Sequence, residues 1–132
     1  MITREHIGIT RIRHQTVTRE RTAAHIGSGS HGVYATPAML AFVESACREL
    51  LDELLDEAHT SVGTAAKLRH LAPTPEGATV EVEVEIISVD GTQVGFRAAV
   101  RDNVELVGEF EHTRAVIEIE RFQKRVSAKS RQ

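Results

Sequence analysis

The chain has 132 residues, of which 41% are hydrophobic and 27% are charged, and it contains no Trp. This length and composition are typical of one ordinary folded domain and exclude a fibrous or intrinsically disordered protein. The formal net charge of -3 argues against a general nucleic-acid-binding protein, because such proteins need a basic surface that neutralises phosphates.

The cysteine content and the apolar runs bear on location. Cys47 is the only cysteine, so an intrachain disulfide is excluded and nothing indicates an oxidising compartment. The amino-terminal stretch lacks the apolar core of a signal peptide, and no apolar run approaches the roughly 20 residues that span a bilayer. We therefore expect a cytoplasmic protein with no membrane segment, folded as a single domain over residues 1–132.

The first predicted element is a strand from Ile9 to Val17, rich in Ile, Thr, Val and Arg. The segment Ile26–Gly32 then contains three glycines and two serines in seven residues. Such a composition is typical of a mobile loop and is a usual place for a lid over a site.

A long helix is predicted from Thr36, with Thr36 as its N-cap and Pro37 at the first helical position. Apolar residues recur at three- and four-residue spacing as far as Ala58, which indicates one core-facing stripe that includes Cys47 as a small buried residue. The opposite face carries the charged residues. The helix therefore packs one side against the rest of the domain.

Glu44 lies at the edge of this apolar stripe and is the only charged residue between Thr36 and Cys47. A carboxylate in that position has two interpretations. It is either a functional group, or one half of a surface pair with Arg48, four residues further along the helix. Helix geometry fits both interpretations equally well.

Four strands are predicted after the helix. Alternating Val and Glu residues predict a strand with one solvent-exposed face. Asp90-Gly91 and Asp102-Asn103 indicate turns between strands. Along the last strand the apolar residues change alternation phase, which predicts a bulge near His112. The predicted strands are Ser61–Leu71, Thr79–Ile86, Thr92–Arg101 and Val104–Arg121. This order predicts an α+β domain with one helix on an antiparallel sheet. Residues 122–132 are basic and weakly patterned, which favours a frayed tail over a phosphate clamp.

Four stretches stand in an order and spacing that a known family shares. They are Tyr34–Cys47, Ser61–Thr64 with His70, Thr74–Gly77, and His112–Phe122. None is diagnostic alone, but together they resemble the hotdog-fold acyl-CoA thioesterases, and specifically the branch that includes fluoroacetyl-CoA thioesterase. The resemblance runs from about Arg11 to Arg125.

The resemblance implies a hotdog fold, in which one long central helix packs against a mostly antiparallel five-stranded sheet. It also implies a homodimer with two sites at the subunit interface. The sequence leaves open whether two dimers stack into a tetramer. The implied reaction hydrolyses a small acyl-CoA to the free acid and CoA. We expect no cofactor or metal, because the residues show neither metal-ligand spacing nor a phosphate-binding loop. The implied catalytic residues are Thr36, Glu44 and His70, and the implied substrate-binding residues are Gly63, Tyr34 and Arg114.

Thioester hydrolysis needs a nucleophile or an activated water, together with a donor for the developing oxyanion. Glu44 can act as a general base or attack the carbonyl itself, Thr36 can offer its hydroxyl, and His70 can donate a hydrogen bond or relay a proton. An ideal helix separates Thr36 from Glu44 by about 12 Å. We therefore expect His70 or the partner subunit to complete the arrangement.

The sequence is also compatible with purely structural roles for three of these residues. A lone strand histidine such as His70 is more often structural, Gly63 also fits an edge bulge, and Arg114 also fits an exposed strand position. The seven histidines lack the tight spacing of metal ligands, and no glycine-rich phosphate loop is present.

Two other functions are also compatible with the fold. One is an enoyl-CoA hydratase or dehydratase, which requires an Asp–His acid–base pair that we do not find at matching positions. The other is a non-catalytic acyl-CoA-binding module. The loop Gly27–Gly32 lacks the aromatic residues of the longer lid in the fluoroacetyl-specific enzyme, so fluoroacetyl selectivity is not implied. A small or polar acyl group is predicted instead.

Overall fold

The computed structural model describes residues 1–130 and consists of one helix layer on one face of a sheet. The helices are α1 (Ala23–Ile26), α2 (Thr36–Leu54) and α3 (Ile119–Ser130). The strands are β1 (Thr10–Thr16), β2 (His59–His70), β3 (Thr79–Asp90), β4 (Gln93–Arg101) and β5 (Leu106–Glu118). No helix in the described part of the chain is long and apolar enough to cross a membrane.

The five strands form one sheet in the order β1-β3-β4-β5-β2, and every neighbouring pair is antiparallel. This confirms the predicted five-stranded antiparallel sheet with one long helix. Gly91, with φ of 61°, opens the turn between β3 and β4, as the Asp90-Gly91 signal predicts. The next turn is held by Asp102, whose Oδ1 accepts from the backbone N–H groups of Val104 and Glu105 at 2.9 Å.

The core lies between α2 and the sheet. Buried residues of α2 include Met39, Val43, Leu50 and Leu51. They meet the buried side of a sheet in which β4, and β3 as far as Ile86, alternate strictly between buried and accessible positions. Arginines of β1 reach the helix from the edge of the sheet, since Arg13 Nε lies 2.9 Å from Glu49 Oε2. Apolar burial therefore fixes the helix face, and ion pairs at its margin fix its rotation.

The helix begins differently from the prediction. Thr36 is its first helical residue, and the N-cap is Ala35, which makes no side-chain capping bond. The backbone before the helix is held instead by long-range bonds, with Tyr34 N–H donating to Thr74 O at 2.8 Å and Ala35 N–H donating to Arg21 O at 2.9 Å. Because these bonds fix the start of the helix, the Thr36 hydroxyl is not needed as a cap.

The predicted bulge near His112 is wrong. From Gly108 onward the alternation along β5 is unbroken, and Phe110, His112 and Arg114 all lie buried on the helix side. The register of β5 against β4 shifts earlier, at Val107. The bulge closest to the site is on the neighbouring strand, where Thr64 is the extra residue between Gly63 and Ala65. The apolar residues that suggested a phase change in β5 lie on the outer face of the sheet, while the polar residues are buried because they hydrogen-bond to one another.

The carboxyl-terminal segment also differs from the prediction of a frayed, weakly patterned tail, because its described part forms α3. Phe122 and Val126, four residues apart, give this helix an apolar stripe that is too short to stand out in the sequence. The remaining positions of the helix are largely basic or polar. The first residue of α3 is fixed to the domain, since Ile119 N–H donates to Ala58 O at 2.9 Å.

Candidate active site

A buried arginine on β5 organises the first part of the site. Arg114 is only 5% exposed, and its Nε and Nη2 donate to Ser61 Oγ at 2.8 Å and to Ser61 O at 3.0 Å. Burial lowers the pKa of this guanidinium, but an arginine keeps its charge in proteins. The site therefore contains a fixed positive charge beneath the helix.

His112 lies beside Arg114 and is held in one tautomer. Its Nδ1 donates to Ala65 O at 2.8 Å, so its Nε2 is free to accept from Arg114 Nη1 at 3.0 Å. Burial, with the neighbouring guanidinium, lowers the pKa of this imidazole, although the Ala65 carbonyl and Glu44 oppose the shift. His112 is therefore a neutral ring whose two nitrogens are both engaged.

Glu44 of α2 meets this pair across Gly63. A Cβ added to Gly63 would lie 2.8 Å from Glu44 Oε2, 3.2 Å from His112 Cε1 and 3.4 Å from Arg114 Nη1. The missing side chain of Gly63 thus leaves a space around which a carboxylate, an imidazole and a guanidinium converge. The surface pair that the sequence left open does not form, because Arg48 Nη1 bonds to Asp52 Oδ2 at 3.2 Å instead.

Thr36 and His70 form a second pair at the start of α2. Thr36 Oγ1 lies 2.7 Å from His70 Nδ1, while His70 Nε2 is buried without a hydrogen-bond partner among the described residues. Burial lowers the pKa of this imidazole, and a backbone contact with Ala72 opposes the shift only in part. The ring is therefore neutral, and its Nε2 is available to a ligand or water.

The structure thus brings the predicted residues together in two groups. Glu44, Gly63 and Arg114 meet in one, and Thr36 and His70 meet in the other. The β2 bulge relates the two groups, because residues 63 and 70 are an odd number of positions apart and would face opposite sides of a regular strand. With Thr64 as the extra residue, Gly63 and His70 both face the helix.

Tyr34 joins neither group by hydrogen bonding. Its side chain is only 1% exposed, and its hydroxyl donates to Gln15 Oε1 at 2.6 Å. Burial raises the pKa of this phenol. In the described structure the ring therefore supports the segment that leads into α2, and no open surface of the ring faces a ligand.

Cys47 lies in the core, as expected, and burial raises the pKa of its thiol to about 12. A thiol in that state is a packing residue and a poor nucleophile. No group of three or more His, Cys, Asp or Glu side chains that could hold a metal ion occurs among residues 1–130.

Sequence reasoning missed two members of the site, His112 and Ser61. His112 lies in one of the shared stretches, but the bulge expected near it left the face on which its side chain lies undetermined. The available signal was the simple period of two, which sets His112 and Arg114 on the same buried face of β5. Ser61 also lies in a shared stretch, but no local pattern singles it out, because its role is to accept from Arg114, 53 residues away.

One long helix packed on a five-stranded antiparallel sheet is the architecture of the hotdog fold. A hot-dog-like protein from Thermanaerovibrio acidaminovorans superposes on this structure with a TM-score of 0.86 at 25% sequence identity, covering 93% of this chain and 91% of that one. The predicted fold class is confirmed.

The family follows from closer similarities. A profile described as fluoroacetyl-CoA-specific thioesterase matches residues 17–120. The fluoroacetyl-CoA thioesterase of Streptantibioticus cattleyicolor is 38% identical over 98 residues, which cover 74% of this chain and 70% of that protein. A structure of the fluoroacetyl-CoA thioesterase FlK has a TM-score of 0.87 at 32% identity, covering 93% of this chain and 96% of that chain. The chain belongs to the fluoroacetyl-CoA-specific thioesterase family and is a thioester hydrolase, as predicted.

Replacing Gly63 with Ala tests the space beside Glu44. The new methyl group must displace the Glu44 carboxylate, so we expect thioester turnover to fall by about tenfold or more. The flexible end of Glu44 can move, so the unfolding free energy should change by less than about 1 kcal/mol. Free-thiol release and circular-dichroism melts measure the two quantities. Gly32→Ala, where a Cβ meets nothing within 4 Å, is the matched control; equal turnover in the two variants would contradict the role of Gly63.

The two buried histidines predict a pH dependence of stability. Because folding lowers the pKa of both His70 and His112, the unfolded chain binds protons that the folded chain does not. Their contribution is fully present above the ordinary value of 6.5 and is lost as the pH falls through the folded values. Urea unfolding followed by circular dichroism between pH 7 and 5 should therefore show falling stability. His112→Gln should flatten this slope, and His31→Gln, at an exposed position, should keep it; the same slope in both variants would be inconsistent with burial as the cause.

Proposed function

We propose that this thioesterase hydrolyses a small acyl-CoA at a site made by Glu44, Thr36 and His70, with Gly63 and Arg114 around the thioester. The convergence of the Glu44 carboxylate with Arg114 and His112 on the open space at Gly63 is the observation that carries this proposal. A glycine there lets a reacting carbonyl lie against the backbone beside a carboxylate.

The proposed reaction gives each group one task. Glu44 either takes a proton from water as the water attacks the thioester carbonyl, or attacks that carbon itself to form an anhydride that water then opens. In both routes the C–S bond breaks, and the proton gained from water goes to the CoA thiolate. His70, neutral and with Nε2 unpartnered, donates to the developing oxyanion when Thr36 donates to its Nδ1. No metal or cofactor besides the CoA of the substrate is needed for this chemistry.

We further propose a homodimer in which β2 pairs with its copy. β2 is the last strand of the sheet, and residues 63–67 on it are exposed, so its outer edge offers unpaired backbone groups to a second strand. A two-fold antiparallel pairing centred on Lys67, with Thr64 bulged out of the ladder, sets Gly63 opposite His70 of the partner subunit. The bulge at Thr64 gives these two positions the same face. Each site would then combine Glu44 of one subunit with the Thr36–His70 pair of the other.

The acyl group is proposed to be small or polar. The stretch Gly27–Gly32 before α2 contains only glycine, serine and one histidine, so it offers little apolar surface to a long alkyl chain or an aromatic ring. The relatives are named for fluoroacetyl-CoA, and that ester belongs in the same size range. A cytoplasmic location agrees with a single buried, reduced thiol.

The proposed activity is tested by free-thiol release from acetyl-, fluoroacetyl-, medium-chain and aromatic CoA esters. We expect the small esters to turn over fastest and Glu44→Ala or His70→Ala to lower kcat by about a hundredfold or more. Glu57→Ala, which removes an exposed carboxylate after α2, is the charge-matched control. CoA esters that bind without any turnover would favour a binding module instead.

The shared site is tested by subunit mixing. Glu44→Gln and His70→Ala chains carrying different affinity tags are coexpressed, and the heterodimer is purified through both tags. One of its two sites then holds both substitutions and the other holds neither, so we expect about half of the parent's turnover per dimer. Each homodimer, with two damaged sites, should be inactive. An inactive heterodimer would place Glu44 and His70 of the same chain in one site.

A further inference from the structure

The charge of this protein is divided unevenly along the chain. The last fourteen residues hold five of the sixteen lysines and arginines but only one of the nineteen acidic residues. A chain with a net charge of -3 therefore has a strongly acidic body and a basic carboxyl-terminal segment. The acidic body repels a polyanionic ligand, so such a ligand can bind only where a local cluster of cations offsets that charge.

Three of the four described cations of α3 divide into two sets, and the fourth is Lys129, near the end of the helix. Lys124 lies 3.6 Å from Glu120, on a side of the helix lined by polar residues. Arg121 and Arg125, four residues apart and therefore neighbours on one face, form no ion pair within 4.0 Å among residues 1–130. Several arginines elsewhere, such as Arg13 and Arg97, do form ion pairs with glutamates.

Arg121 and Arg125 line a groove between α3 and the end of the sheet, with a volume of about 340 Å³. Phe122, Val116 and Ile117 supply its apolar wall, and Glu118 is the one carboxylate that lines it. Its framework is fixed by the backbone, because Val116 N–H donates to Thr92 O at 2.8 Å and Ile119 N–H donates to Ala58 O at 2.9 Å. The groove therefore combines an apolar wall with two uncompensated guanidinium groups on a rigid base.

We propose that this groove binds the 3′-phosphorylated ADP end of CoA, an inference that rests on the proposed acyl-CoA substrate. Guanidinium groups match phosphate oxygens in geometry and charge, and an adenine ring can stack on Phe122. β5 links the two regions directly, since Arg114 and Glu118 are four residues apart, or about 13 Å along a strand. The long pantetheine arm connects a thioester near Gly63 with a nucleotide at α3.

A membrane surface is the other polyanion that a basic amphipathic helix can meet. The arrangement here favours the nucleotide, because the two arginines line a groove and do not flank a broad apolar face. Phe122, at 37% exposure, already has most of its surface covered. A helix that inserts between lipids presents its aromatic residues outward.

The test compares two double variants of α3 that remove the same charge. Arg121→Ala/Arg125→Ala removes both guanidinium groups that line the groove, and Lys124→Ala/Lys129→Ala removes two cations that do not line it. Each protein is assayed with an acyl-CoA and with the same acyl group on pantetheine, which lacks the nucleotide. The measured quantity is kcat/KM for the CoA ester divided by kcat/KM for the pantetheine ester. We expect the arginine double variant of the groove to lower this ratio by about tenfold, mainly by raising KM for the CoA ester. The lysine double variant should change the ratio by less than about twofold.

Direct binding separates this inference from the proposed function. Adenosine 3′,5′-bisphosphate is titrated into each protein by calorimetry, so the result does not depend on turnover. Binding to the parent and the lysine variant, but not to the groove variant, supports the nucleotide site even if every thioester tested is inert. Equal effects of the two double substitutions would overturn the nucleotide site. So would an unsubstituted protein that does not bind the bisphosphate but sediments with phosphatidylserine vesicles.

Discussion

The burial of Arg114 is the constraint on which the site depends. A buried guanidinium costs several kcal/mol in desolvation unless partners replace its water, and this one has three: two oxygens of Ser61 and the Nε2 of His112. These bonds tie β2 to β5 and require His112 to carry its proton on Nδ1. Glu44, whose charge acts favourably on Arg114, completes the arrangement from the helix. One buried cation thus sets the strand pairing, a tautomer and the position of a carboxylate.

The bulge at Thr64 follows from the same arrangement and extends its reach. Thr64 Oγ1 donates to Thr113 O at 3.1 Å, which stabilises the extra residue opposite the strand that carries Arg114. Beyond the bulge, the side chains of β2 exchange faces, so His70 points to the start of α2 and meets Thr36. The single extra residue Thr64 therefore places Gly63 and His70 on the same helix-facing side of the edge strand β2.

The fold could be predicted from the sequence because it depends on periodic patterns: the stripe of α2, the alternating valines of β3 and the turn signals at Gly91 and Asp102 are all local. The site could be predicted only in part. Glu44 stood out because it interrupts an apolar pattern, whereas Ser61 and His112 depend on contacts between residues about 50 positions apart. The phase of β5 was misjudged because polar residues occupy its buried face, and only their mutual hydrogen bonds explain that burial.

The two imidazoles differ in a way that assigns their roles. Both are neutral, but His112 has a partner on each nitrogen, whereas His70 Nε2 is buried with none. An unmade bond of this kind costs about 1 to 3 kcal/mol, and folded proteins keep such a cost mainly where a ligand removes it. His112 is therefore part of the support that holds Arg114, and His70 is the ring with a hydrogen bond still to offer. That difference favours His70 over His112 as the histidine of the proposed reaction.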